Sequence, residues 1–159
     1  MDSNLTRLYD HLAWADQAML AALDEAGDPN EEARALLAHI VSAEHIWLCR
    51  IQSRPLGRTT AWSHLSLSEC RALSAEVVSG YRTLIQSTPE SALNASITYR
   101  SLQGAEFQTP LREILLHVAI HGAYHRGQMA AVLRRSGLEP ASTDFILFSR
   151  QSPLPLGPA

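Results

Sequence analysis

The chain has 159 residues, 46% of them hydrophobic, and a formal net charge of −3. That balance suits one globular domain with a single core and argues against a disordered chain. No apolar run is long enough to cross a membrane. No Lys/Arg stripe offers a footprint for phosphate backbones, so neither a membrane nor a nucleic acid is the expected partner.

The opening stretch MDSNLTRLYDH lacks the basic-then-apolar layout of a secretory leader. The first predicted helix runs from Ser3 to Glu25, with Leu5, Leu8, Leu12, Met19, Leu20 and Leu23 at i, i+3, i+4 spacing. Gly27-Asp28-Pro29 closes it. Asp28 reads as the N-cap of the second helix, with Pro29 in its first position and Glu31 completing a capping-box spacing. That helix carries Leu37, Ile40, Val41, Trp47, Leu48 and Ile51 on one side. QSRPLGRTTAWSHL is a loop, and Ser66-x-x-Glu69 caps a third helix striped by Leu67, Cys70, Leu73, Val77, Tyr81 and Leu84. Cys49 and Cys70 sit in helical patterns without CxxC spacing, so they read as buried reduced thiols in a cytoplasmic protein.

From Ser87 to Thr109 the helical period is lost. Ile97 and Tyr99 alternate with polar residues, and Gln103-Gly104 marks a turn before Phe107, the pattern of a short hairpin. The last long helix starts at Thr109-Pro110 and stops at Gly137; a short amphipathic piece spans Phe145 to Phe148. The expected architecture is all-α: a four-helix bundle with an irregular or hairpin insert before the last long helix. Residues 1–150 form its single domain and residues 151–159 a Pro-rich tail.

The chemistry concentrates in HVAIHGAYHRGQ, residues 117–128, with histidines at 117, 121 and 125. On a helical wheel centred on Leu111, Val118, Met129 and Leu133, His125 lies about 40° from the apolar centre, His121 about 80° and His117 about 120°. Histidines eight apart are about 12 Å apart along the axis, too far to share an ion at bonds of about 2 Å. His121 and His125 are therefore the predicted chelating pair, with His117 at the rim. Gly122, near the stripe's centre, leaves room beside them. A lone pair at i, i+4 is as often structural as metal-binding; its place on the flank of an apolar stripe favours binding.

A third ligand is sought on the second helix, which offers His39 and His45 about 120° apart, so that one at most faces the pair. His45 lies slightly nearer the apolar centre. Glu44 and Asp16 fall within apolar stripes, where carboxylates need partners. They read either as buried structural carboxyls or as groups that orient ligand histidines or handle a proton beside an ion. Gly stands where HExxH proteases place their Glu, and no Glu-x-x-His occurs, so neither the zincin nor the di-iron pattern is present.

YDHLAWADQAML, LLAHIVSAEHIWLCRI and LLHVAIHGAYHRGQMAAVLRRSGLEPASTDFILF, in this order, resemble the DinB family of metal-binding bundles. The resemblance implies up-down-down-up helix connections, a homodimer, and one divalent ion, zinc or nickel, held by three histidines. It matches His121 and His125 to two of the ligands and, through AEH, His45 to the third. Asp16 stands where the family often has Asn. Some relatives transfer low-molecular-weight thiols. The expected function is a metal-dependent enzyme, a thiol S-transferase or hydrolase, in which the ion activates a small thiol or water and Glu44 or Asp16 assists; Arg58, Trp62 and Tyr99 would line the mouth. The alternatives are a non-catalytic stress protein with a structural ion and a helical interaction module without metal.

Overall fold

The computed structural model describes residues 2–27 and 30–153. Within them lie helices α1 (Ser3–Glu25), α2 (Glu31–Ile51), α3 (Leu67–Ser87), α4 (Leu111–Arg135) and α5 (Phe145–Gln151), with an antiparallel hairpin, β1 (Ser96–Arg100) and β2 (Glu106–Pro110), before α4. The predicted all-α bundle with a hairpin insert is the observed fold. None of the described helices is long and apolar enough to cross a membrane.

Each start has a physical cause. The Asp2 carboxylate accepts from the Asn4 and Leu5 N–H groups and opens α1. Asp28 and Pro29, expected to open α2, lie outside the described residues. Asn30 caps that helix by accepting from the Ala33 N–H at 2.9 Å. Ser66 and Glu69 form the predicted reciprocal capping box of α3. Helix α4 has no side-chain cap. Its Leu111 and Arg112 N–H groups instead donate to the Ala95 and Leu93 carbonyls, so the hairpin insert satisfies them. Gly137, at φ +75°, ends α4 in the left-handed conformation. The expected tail falls mostly on residues 154–159, outside the described residues.

Around the bundle the order is α1, α3, α2, α4. Tyr9 bonds the Leu115 carbonyl and Asp16 pairs with Arg126, so α1 and α4 run parallel. Asp24 pairs with Arg71 and Asn30 with Ser136, so α3 opposes α1 and α2 opposes α4. This is the up-down-down-up arrangement. A Cβ at Gly80 would overlap the Leu48 side chain, so this glycine lets α3 lie close against α2.

The core has two apolar clusters. One includes Met19, Leu23, Leu37, Val41, Met129 and Leu133; the other, toward the opposite end, includes Leu12, Leu48, Tyr81, Ile114 and Val118. Burying each such side chain contributes about 1.5–3 kcal/mol. Between the clusters, at mid-bundle, lie the buried side chains of Asp16, Glu44 and Arg126.

Candidate metal centre

His121 and His125 are one turn apart on α4 and face α2, as the wheel predicts. The histidine that meets them is His39. One ring nitrogen from each of His39, His121 and His125 lies within 4.8 Å of the others, a set that could hold a metal ion. α2 sits between α4 and α3, and His39 is on its α4 side. His45, six residues on, is turned about 120° away toward α3. Its Nε2 lies 3.5 Å from Cys49 Sγ and 3.7 Å from Glu76 Oε1. The structure thus brings His39, not the expected His45, to the α4 pair.

Two of the three rings are held by their far nitrogens. His39 Nδ1 lies 2.6 Å from the Ala61 carbonyl oxygen, which can only accept, so Nδ1 carries the proton and Nε2 keeps its lone pair. His125 Nδ1 donates in the same way to Gln128 Oε1 at 2.8 Å. The two Nε2 atoms then face each other at 3.1 Å. Lone pairs at that distance repel unless a proton or a cation lies between them. Two nitrogens bound tetrahedrally at about 2.0–2.1 Å would lie about 3.4 Å apart, close to the spacing found.

The surroundings of His121 and His39 favour the neutral imidazole. Burial and the neighbouring rings of His125, His39 and His117 lower the His121 pKa from 6.5 to about 4. Burial also lowers that of His39, with the Ala61 bond opposing and His125 adding to the effect. A neutral imidazole is the form that ligates. His117 stays outside the trio: its ring is 5.6 Å from that of His121 and meets Trp47 edge-on.

Trp62 stacks on His39 with ring centres 3.9 Å apart and is 56% exposed, which places it at the outer side of the trio. Arg58 is exposed and shares a surface depression with Trp62. Tyr99 packs on Trp47 and under Arg50, toward the His117 side.

Asp16 and Glu44 come together with Arg126. Arg126 Nη1 donates to Asp16 Oδ1 at 2.9 Å, with both side chains buried. Burial and the Asp16 charge hold the Glu44 pKa well above its usual 4.5, against the pull of Arg126. Burial raises that of Asp16 as well, while Arg126 lowers it. Both Glu44 oxygens and Asp16 Oδ2 are buried without a donor while both groups are ionised. A proton on Glu44, donated to Asp16, gives one Glu44 oxygen and Asp16 Oδ2 a partner and leaves one carboxylate to balance one guanidinium. The orienting role expected of these carboxyls falls to Ala61 and Gln128 for the His39 and His125 rings. Gly122 likewise serves the buried cluster, since a Cβ there would lie 2.9 Å from Arg126 Nη1 and 3.4 Å from Glu44 Oε1.

Sequence reasoning missed Arg126 and Gln128. Arg126 lies about 60° from the centre of the α4 stripe, on the side opposite His125, and two buried carboxyls call for a cation. Gln128 follows His125 by three residues, the spacing that lets it reach the ring.

Two comparisons bear on identity. The chain is 25% identical to Protein DinB of Bacillus subtilis (strain 168) over 164 residues, covering 89% of this chain and 91% of that relative. Residues 1–154 match the profile of the DinB family, and with the bundle and its three histidines in place the chain belongs to that family.

Proposed function

We propose that this chain is a metal-dependent enzyme in which His39, His121 and His125 hold one divalent ion, zinc or nickel. The observation that carries the reading is the pair of facing Nε2 atoms on His39 and His125, each with its Nδ1 already engaged. When bound, an ion held by three neutral imidazoles lowers the pKa of a water or small thiol and polarises an electrophile. Ala61 and Gln128 fix the tautomers and ring planes, so the donors are set before the ion arrives. Trp62 covers one face of His39 and excludes water there while leaving the mouth open. His121 and His125 are only half-buried, which supports an exchangeable position and hence thiol transfer or hydrolysis over a closed structural site.

Elemental analysis of untagged protein tests the ligand set. His39→Ala and His125→Ala should each lower bound ion by one per chain, while His117→Ala should not. Full retention in His39→Ala would overturn the assignment. A screen of small thiols with electrophiles then separates enzyme from structural ion, since no turnover by fully loaded protein favours the latter.

We also propose a homodimer. Leu116, Ile120 and Tyr124 form an outward row on α4, with Ile120 and Tyr124 66% and 63% exposed and Phe145 beside Leu116. Ile120→Glu should convert a dimer to a monomer in light scattering; a wild-type monomer at high concentration would refute the pairing.

A further inference from the structure

The α2–α4 face that carries the histidine trio continues toward the hairpin. His117 precedes His121 by one turn of α4, and its ring meets that of Trp47 on α2 with centres 5.2 Å apart. The Arg50 guanidinium lies over the Trp47 ring, 4.6 Å from its centre, and 5.3 Å from the centre of the Tyr99 ring on β1. We propose that Arg50 is an anion-recognition residue, taking the carboxylate of an organic acid whose other end reaches the histidine trio. That the acid is a substrate rests on the metal-dependent reading above; its binding at Arg50 does not.

Position supports this. Arg50 follows His39 by 11 residues, which is about 20° round the helix and about 16 Å along it. Both side chains therefore leave α2 on the same side. Side chains on a helix lean toward its N-terminus, and the Arg50 guanidinium accordingly lies back over Trp47, one turn nearer His39.

Arg50 also has binding capacity that nothing uses. Arg54, Arg71, Arg100, Arg112 and Arg126 each pair with a carboxylate. Arg50 pairs with none among the described residues, Glu113 one turn before His117 included. Arg58 and Arg82, which also lack such a partner, are exposed, whereas Arg50 is part-buried. Burial lowers its pKa, with Tyr99 opposing, and a guanidinium stays charged at neutral pH regardless. The two rings restrain it without occupying any N–H, so its donors remain for a bidentate grip on a carboxylate.

The neighbours select the kind of anion. Burial and the Arg50 charge lower the His117 pKa, so a neutral imidazole stands beside the cation. One positive charge balances a carboxylate, not a phosphate dianion. Phe107, stacked on Tyr99 and 49% exposed, adds apolar surface for the body of the acid.

Calorimetric titration of metal-free protein with 4-phenylbutyrate tests the binding, with 4-phenylbutanol as the uncharged counterpart. Wild type should bind the acid at least tenfold more tightly than the alcohol. Arg50→Gln should erase the preference, while Arg54→Gln, an equal loss of charge on the α3 side, should keep it. Equal affinities in wild type, a comparison that needs no variant to fold, overturn the proposal. So does a preference retained in Arg50→Gln, and displacement of the acid by equimolar inorganic phosphate overturns the choice of carboxylate. Proton NMR of the bound acid then tests its reach: the phenyl lines should broaden in cobalt(II)-loaded protein relative to zinc-loaded protein. Lines that stay sharp beside bound cobalt overturn the link to the trio. A protein that takes up no cobalt refutes the metal reading alone, since the calorimetric result stands without it.

Discussion

Helices α2 and α4 carry two polar groupings that differ in nearly every physical respect. His39, His121 and His125 are imidazoles that sit at the edge of the bundle and present nitrogens to one another. Glu44 and Arg126, with Asp16 from α1, are charged or share a proton, lie at mid-bundle, and are sealed from water. A buried ion pair gains little over apolar packing, yet losing one member strands a charge. A substitution in the first grouping is therefore expected to disturb the fold little. The second can exchange nothing, and it marks where the two apolar clusters meet. Function is expected to follow the first and folding the second, although the residues interleave along the same helices.

Arg126→Met should separate the two most strongly. It keeps side-chain bulk but leaves two buried carboxyls without a cation, and should cost about 3–5 kcal/mol in denaturant unfolding at neutral pH. The loss should shrink in acid, where both carboxyls protonate. A loss below 1 kcal/mol would mean water reaches the cluster.

Gly122→Ala comes next. Alanine is favoured over glycine in a helix by about 1 kcal/mol, so a stabilising result is the naive expectation. Its Cβ would meet a guanidinium that Asp16 pins in place, and such overpacking costs about 1–3 kcal/mol. A net loss of about 1 kcal/mol with ion content unchanged is expected. Loss of the ion at unchanged stability would instead assign Gly122 to the metal centre.

The helices, the hairpin and the α4 pair were legible in the sequence because each rests on local periodicity or local turn chemistry. Which histidine of α2 faces that pair was not. His39 and His45 flank the α2 stripe on opposite sides at similar angles, and the choice depends on which neighbour lies on each side. That is a matter of helix order around the bundle, which the wheel of one helix does not contain. Three AEH residues matched to a family pattern pointed to the α3 side; the packing of α2 against α4 selects the other. Arg126 was hidden differently, since a charged side chain next to a histidine invites a surface reading. Its angle on the α4 wheel and the two carboxyls with no visible cation were the available signals. Asp16 and Glu44 fall within apolar stripes, but their partner, and hence their separation from the histidine trio, depends on three helices at once.

The smallest effect is the most diagnostic. Glu44→Gln replaces a carboxylic acid by an amide of the same shape that can still donate to Asp16. If Glu44 is the protonated member of the pair, stability near pH 4.5 should change by less than about 1 kcal/mol. The sign of the pH dependence then decides. The folded-state pKa of Glu44 lies well above 4.5, so below pH 4.5 both folded and unfolded chains hold the proton and Glu44 contributes no slope. Above it the unfolded chain releases the proton first, and wild-type stability falls with rising pH by up to about 1.4 kcal/mol per unit until the folded value is reached. Glutamine has no proton to release. The variant should therefore gain on wild type as pH rises from 4.5 toward neutrality, and the histidine titrations, common to both proteins, cancel in the difference. A difference that stays flat above pH 4.5 would show that the folded pair keeps no proton the unfolded chain has released, with Glu44 and Asp16 both ionised against Arg126.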